Sequence, residues 1–301
     1  MRWLIAITLI LSIFLMAGCG SMNNSRDTRV IDFRTGSRAL DMQIVHGASQ
    51  KIYEDEELSV LLELHNRGTG DITNGLLFVK GYDPRYLPNL HIEPSPVLNL
   101  EGKDDFDPTG ELSFTYEIVD RSVKAPRHKE ILPQTLQVVA CYPYSSHGSY
   151  PVCIDPDPHN RRIDNKICYG TEVSPGAQGH PVAVTAIEEK VNRNDIRFNL
   201  RISNVGDGIV YNRRVSPEAC AFDLQRTDLD MVHIRKVEFS GKTLRCEPSN
   251  PVRLINGGAL VSCVCENCLN LDQGAYRTVL NVEMEYGYRN DIQTQVEILK
   301  E

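Results

Sequence analysis

The chain has 301 residues, 41% hydrophobic and 24% charged, the profile of a globular protein with room for two domains that each bury a core. Its formal charge is −8 and it carries no basic run. A net acidic surface suits neither nucleic acid nor anionic lipid headgroups, so no nucleic-acid partner is expected.

The N-terminus reads as an export signal. Arg2 gives a short positive start, and Trp3 to Phe14 is apolar except for Thr8 and Ser12. The apolar run of about 15 residues falls short of the roughly 20 needed to cross a bilayer as a helix. Leu15-Met-Ala-Gly-Cys19-Gly-Ser follows. Small residues directly before a cysteine resemble a lipobox, in which that cysteine is lipidated and becomes the mature N-terminus; Met16 stands where leucine is commoner. The expectation is a signal peptide over 1–18, a lipid on Cys19 that makes the membrane a partner, and residence on the extracytoplasmic face of the cell membrane. An uncleaved anchor and plain secretion are the alternatives. Residues 19–37 are polar and read as a flexible tether. The tether holds an Asn23-Asn-Ser glycosylation sequon, to which little weight attaches.

A first domain is expected over 38–156. Ala39–Val45, Leu58–His65, Gly75–Tyr82 and Glu111–Ile118 alternate as half-buried strands, with Val60, Leu62 and Leu64 on one face. Leu136–Tyr144 and Tyr150–Ile154 then read as a closing hairpin around Ser-Ser-His-Gly148. Residues 157–180 are an irregular linker rich in proline and glycine. A second domain is expected over 181–301, with strands at Pro181–Ile187, Ile196–Ile202, Ile209–Val215, Val232–Phe239, Gly258–Cys265, Val279–Tyr288 and Ile292–Leu299.

The two halves repeat each other. Leu62-Glu-Leu-His-Asn66-Arg-Gly68-Thr-Gly70 returns as Leu200-Arg-Ile-Ser-Asn204-Val-Gly206-Asp-Gly208, an offset of 204 − 66 = 138. Each copy reads as a strand breaking into a turn that needs positive φ. Leu136-x-Val138-x-x-x-Tyr142-x-Tyr144 returns as Leu280-x-Val282-x-x-x-Tyr286-x-Tyr288, an offset of 280 − 136 = 144. The tyrosines are expected half-buried at the end of a hairpin, with ligand stacking as the alternative. Short strands punctuated by Pro, Gly and Asn, without a long amphipathic helix, give the fold class: all-β, two tandem immunoglobulin-like antiparallel β-sandwiches.

The Asn-x-Gly-x-Gly strand–turn motif resembles CARDB-type adhesion-like domains, an immunoglobulin-like group of prokaryotic surface proteins. Cys153-Ile-Asp-Pro-Asp-Pro158, Gly179-His-Pro-Val-Ala-Val-Thr185 and Leu280-Asn-Val-Glu-Met-Glu-Tyr-Gly-Tyr288 look like a family of archaeal surface lipoproteins with tandem domains of this type. The resemblance covers most of residues 38–299. It implies fold and location, and no catalytic residues.

Nine cysteines are an odd number; with Cys19 lipidated, 9 − 1 leaves eight. Outside the cytosol these eight, Cys141, Cys153, Cys168, Cys220, Cys246, Cys263, Cys265 and Cys268, are disulfide candidates. Connectivity does not follow from sequence, but two bonds are expected. Cys246–Cys263 would join adjacent strands, and Cys141–Cys153 would cross the first domain's hairpin. The remaining four would form two more. The weaker alternative is a thiolate metal site from Cys246, Cys263, Cys265 and Cys268, although only Cys265 and Cys268 have zinc-knuckle spacing. A thioredoxin-like role for Cys265-Glu-Asn-Cys268 lacks the helix that would lower the thiol pKa.

The other chemistry-bearing residues form no motif. Asp104, Asp105 and Asp107, and Asp155 and Asp157, offer hard oxygens without a calcium-loop pattern, and are expected to be solvated. His46, His65, His91, His128, His147, His159, His180 and His233 are scattered. No nucleophile elbow, phosphate loop or dinucleotide fingerprint occurs. The expectation is a membrane-anchored, extracellular, non-enzymatic structural or interaction module. It would need no cofactor and would meet a protein or glycan at the cell surface. The alternatives are a cell-envelope metal or redox accessory factor using the Cys246–Cys268 cluster, and a subunit of a surface filament or secretion apparatus.

Overall fold

Alternation of apolar and polar side chains marks a strand with one buried face. It persists through two segments that Pro143 and Gly287 interrupt on paper. In the computed structural model each of these segments is one strand of 24 residues. The structure describes residues 32–46, 50–158, 166–170, 172–192, 194–269 and 274–300. The expected signal peptide, Cys19, Asn23 and His159 lie outside the described residues, as does the tether up to residue 31. The chain is nearly all β, 56% strand and 2% helix, and residues 32–301 form one compact unit.

The first half holds β1 (Leu40–His46), β2 (Lys51–Ile52), β3 (Leu58–Asn66), β4 (Ile72–Lys80), β5 (His91–Glu93), β6 (Val97–Leu100), β7 (Leu112–Asp120) and β8 (Ile131–Ile154). The second holds β9 (Val182–Asn192), β10 (Asp195–Asn204), β11 (Ile209–Tyr211), α1 (Pro217–Phe222), β12 (Met231–Phe239), β13 (Lys242–Thr243), β14 (Arg245–Glu247), β15 (Val252–Arg253), β16 (Gly258–Cys265) and β17 (Tyr276–Leu299). Two four-stranded sheets, β1-β3-β7-β5 and β14-β16-β10-β9, accompany a nine-stranded sheet whose path runs β13-β12-β17-β8-β4-β6. Except for β2, which joins β17 in parallel through Glu297↔Lys51, the paired strands are antiparallel.

The two long strands organise the rest. β8 and β17 pair from Ile131↔Leu299 to Ile154↔Tyr276, with Pro143 opposite Gly287 near the middle. Because 287 − 143 is the repeat offset of 144, the two strands exchange places about that central pair. Each therefore serves both halves. The start of β8 pairs with β4 through Leu76↔Cys141 and Lys80↔Gln137. Its end lies over β9, where Ser146 Oγ donates to the Val182 carbonyl at 2.9 Å and the Val184 N–H reaches the Tyr150 hydroxyl at 3.4 Å. The start of β17 pairs with β12, and its end reaches back to β2.

The expected hairpin at 136–154, and the separate strands expected at 279–288 and 292–299, are therefore corrected to one strand each. Ser-Ser-His-Gly148 looks like a turn, but Gly148 is a strand position lying beneath the Tyr150 ring. An aromatic lid on a strand glycine excludes water from a backbone that would otherwise be bare. One core runs continuously through both halves, taking in Val60, Leu62 and Leu64 as expected, together with Leu136, Val138, Leu280 and Val282. Each such side chain contributes about 1.5–3 kcal/mol on burial.

The halves differ at one point. β4 lies on Gln137–Cys141 of β8. The equivalent stretch of β17, 281–285 (137 + 144 and 141 + 144), takes β12 instead, after β11 and α1 intervene. The sequence reading missed α1, although Ser216-Pro-Glu is a helix-start pattern. Ser216 accepts the Ala219 N–H at 3.3 Å and Pro217 opens the helix.

Candidate functional site

The repeated motifs meet one another in space. Asn66 Nδ2 donates to the Gly70 carbonyl at 2.9 Å, its Oδ1 accepts the Gly68 N–H at 3.1 Å, and the Gly70 N–H donates to the Tyr144 hydroxyl at 3.1 Å. The second copy repeats this with Asn204, Gly206, Gly208 and Tyr288, at 2.9, 3.3 and 2.8 Å. The asparagine closes its own turn and the tyrosine caps it. None of these four glycines has a positive φ, which corrects the expectation. Glycine is needed there because a Cβ at Gly68 would run into the Tyr144 hydroxyl, and one at Gly206 into the Tyr288 hydroxyl.

The tyrosines are also not half-buried. Tyr142, Tyr144, Tyr286 and Tyr288 are at most 2% exposed, so no ring face is open to a ligand. Tyr142 donates to Asn290 Oδ1 at 2.6 Å, and Tyr286 shares a 2.6 Å hydrogen bond with Ser146. Ser146 and Asn290 are themselves 144 residues apart. Burial pushes the phenol pKa values up, so the cluster stays neutral and serves as a polar core.

The eight cysteines form four bonds. Cys246–Cys263 is present as expected, between directly opposed residues of β14 and β16 with Cα atoms 4.0 Å apart. Cys141–Cys153 is not. Both residues lie on the single strand β8, 153 − 141 = 12 positions apart, a span of roughly 40 Å at the strand rise. Cys141 instead joins Cys220 of α1, and Cys153 joins Cys168. On the outer face of β8, Cys141 and Val139 make a small second core with Tyr211, Cys220 and Ala221. Lys80 Nζ donates to the Ala221 carbonyl at 2.8 Å. The fourth bond is Cys265–Cys268. In this state Cys246, Cys263, Cys265 and Cys268 have no thiolate to offer a metal.

Of the acidic clusters, Asp104 and Asp107 are exposed and close their own loop, accepting the Phe106 N–H at 2.7 Å and the Thr109 N–H at 3.0 Å respectively. Asp155 is the correction. It is 3% exposed rather than solvated, and it binds Lys166, a residue the sequence reading did not single out. Lys166 Nζ lies 2.9 and 2.7 Å from its two carboxylate oxygens. Of the histidines, His147 and His180 come together: the His147 N–H donates to His180 Nε2 at 3.1 Å. His180 is buried beside Thr69, and desolvation lowers its pKa to about 4. Among the described residues no three His, Cys, Asp or Glu side chains converge as a metal site.

A recess of about 530 Å³ lies beside the Cys153–Cys168 bond, bounded by Pro151, Ile167, Tyr169, Val173 and Arg277. Ile167 and Tyr169 stand 70% and 51% exposed on its rim. No protein-family model matches this chain, and no curated protein matches it in sequence.

Proposed function

We propose that this protein is an exported lipoprotein, held at the extracytoplasmic face of the membrane through Cys19, that acts as a non-enzymatic structural or interaction module. The observation that carries the reading is sulfur arithmetic. All eight cysteines after residue 19 are paired in four disulfides, and the ninth stands behind small residues at the end of an apolar leader. Disulfides persist outside the cytosol, so pairing and leader support the same compartment. The interlocked long strands suit a rigid stalk or spacer, and the Ile167–Tyr169 recess is the contact surface within this reading.

The test is to express the full chain and a Cys19→Ser variant in cells fed an alkyne-bearing fatty acid. The native chain should take up the label, sediment with membranes and be shaved by protease from intact cells. Recovery of the unlabelled chain in the cytoplasm with free thiols would refute the reading.

The rival, a redox accessory factor of the cell envelope, rests on Cys265–Cys268. This bond has a sequence separation of only 3, so it constrains the unfolded chain least of the four, and its Cys268 end is partly exposed. Titration of this pair against a graded dithiol buffer separates the two. A structural bond stays oxidised at the poise where cytosolic dithiols reduce, whereas an exchange site is reduced there.

A further inference from the structure

We propose that Lys166 and Asp155 are joined by an intramolecular isopeptide bond that the folded protein forms by itself, with Glu189 as the proton-transfer residue.

Lys166 and Asp155 meet with side chains 5% and 3% exposed. Lysine is seldom buried to this degree, and a buried ion pair gains little stability over its desolvation cost. Stability alone is thus a weak reason for this pair. What the site does provide is an amine held against a carboxyl carbon, with Nζ at 2.9 and 2.7 Å from Oδ1 and Oδ2. Such fixed contact removes much of the entropy cost of bringing amine and carboxyl together.

Two further features surround the pair. Glu189 of β9 lies on the Asp155 side of the pair: a Cβ built on Gly170 would lie 3.7 Å from Glu189 Oε1 and 3.9 Å from Asp155 Cβ. Asp155 and Glu189 also line one recess of about 430 Å³, an exit for water. Burial raises the Glu189 carboxyl to about 7, opposed in part by the Asp155 N–H, so near neutrality it is available both as acid and as base. Among the described residues, Lys190 and Arg197 on the recess wall and the Tyr276 phenol also lie near it. The Cys153–Cys168 disulfide brackets the pair, two residues outside it on each side (155 − 153 and 168 − 166), and fixes the stem on which both groups stand.

The reaction balances without an outside reagent. Within the ion pair a proton passes from the Lys166 ammonium to the Asp155 carboxylate. The neutral Nζ attacks Cγ, and the N–C bond forms. Glu189 protonates the departing oxygen, the C–O bond breaks, and water leaves through the recess. Glu189 then takes the proton from nitrogen. Ammonium and carboxylate have become amide and water.

Peptide mapping of the full-length chain after reduction and denaturation tests the proposal. The expected result is a branched tryptic peptide that joins the Asp155 and Lys166 segments, is lighter than their sum by one water, and shows no cleavage after Lys166. Lys166→Ala and Asp155→Ala should each abolish it. Glu189→Gln, with the same four disulfides and circular dichroism as the parent, should leave most of the chain unlinked. Linear peptides of full mass from the native chain would reduce the pair to an ion pair and overturn the proposal. Full crosslinking in Glu189→Gln would overturn the role given to Glu189.

Discussion

Tyr142 of β8 lies directly opposite Tyr288 of β17, their ring centroids 6.1 Å apart. Tyr144 and Tyr286, at 6.0 Å, are the image of that pair across Pro143↔Gly287. Each half thus lends a tyrosine to the other's centre while capping its own asparagine turn, and the cluster is where the two repeats are locked.

Removing either cap should be felt equally. Tyr144→Phe and Tyr288→Phe each leave a glycine N–H without its partner, and each should lower unfolding free energy by about 1–3 kcal/mol in urea titration. Gly68→Ala and Gly206→Ala force a Cβ into the same hydroxyls and should cost about 1–3 kcal/mol as overpacking. A neutral effect of alanine at both positions would contradict the close approach.

The disulfides should differ in worth according to the loop each closes. Cys141–Cys220 spans 79 residues and Cys265–Cys268 spans 3. Chain entropy puts their contributions at about 4.5 and about 2 kcal/mol respectively. Paired replacement by alanine, followed by thermal unfolding, should therefore show Cys141/Cys220 as the more damaging loss. Non-reducing peptide mapping should recover Cys141 with Cys220 and never with Cys153.

Acid should weaken the fold through His180. Its folded pKa of about 4 lies below the ordinary value of 6.5 because burial disfavours the imidazolium. The unfolded state therefore binds the proton more readily. Stability from this group is complete above about pH 6.5 and drains away as pH falls toward 4, by about 3 kcal/mol in all. Nearby charges, from His147, Arg34 and Lys103, push in the same direction. A His180→Gln variant should show a flatter stability profile between pH 4 and 6.5.

The halves should depend on one another. Residues 38–156 alone would present the end of β8 without β17 and β9, an unpaired edge that invites aggregation. Produced separately, 38–156 and 181–301 should be poorly soluble or self-associated. Produced together, they should co-purify as one complex with the melting behaviour of an interlocked sheet. Two well-behaved monomers would show that the shared strands are dispensable.

Most individual strands could be read from the chain because alternation is a local signal; Gly258–Cys265 is where the pattern placed it, and the strand expected over Leu58–His65 runs one residue further, to Asn66. The Asn-x-Gly-x-Gly and Tyr-x-Tyr repeats were visible too, since duplication leaves a fixed offset. Ser-Ser-His-Gly148 misled because a glycine beside serines looks the same in a turn as in a strand with an aromatic lid. Cys141–Cys153 misled because the supposed hairpin was one extended strand. Lys166 and Glu189 carried no signal, standing eleven and thirty-four positions from Asp155 (166 − 155 and 189 − 155) in no known spacing.

By itself, then, the order of residues determined the all-β class, the internal duplication and the alternating buried faces, because each rests on local pattern or on direct repetition. Only tertiary structure decided that β8 and β17 run through both halves, that Cys141 reaches α1, and that the Lys166 amine meets the buried Asp155 carboxylate. Those outcomes depend on which distant segment supplies the missing backbone partner, and pairing energy across a sheet has no counterpart in a local pattern.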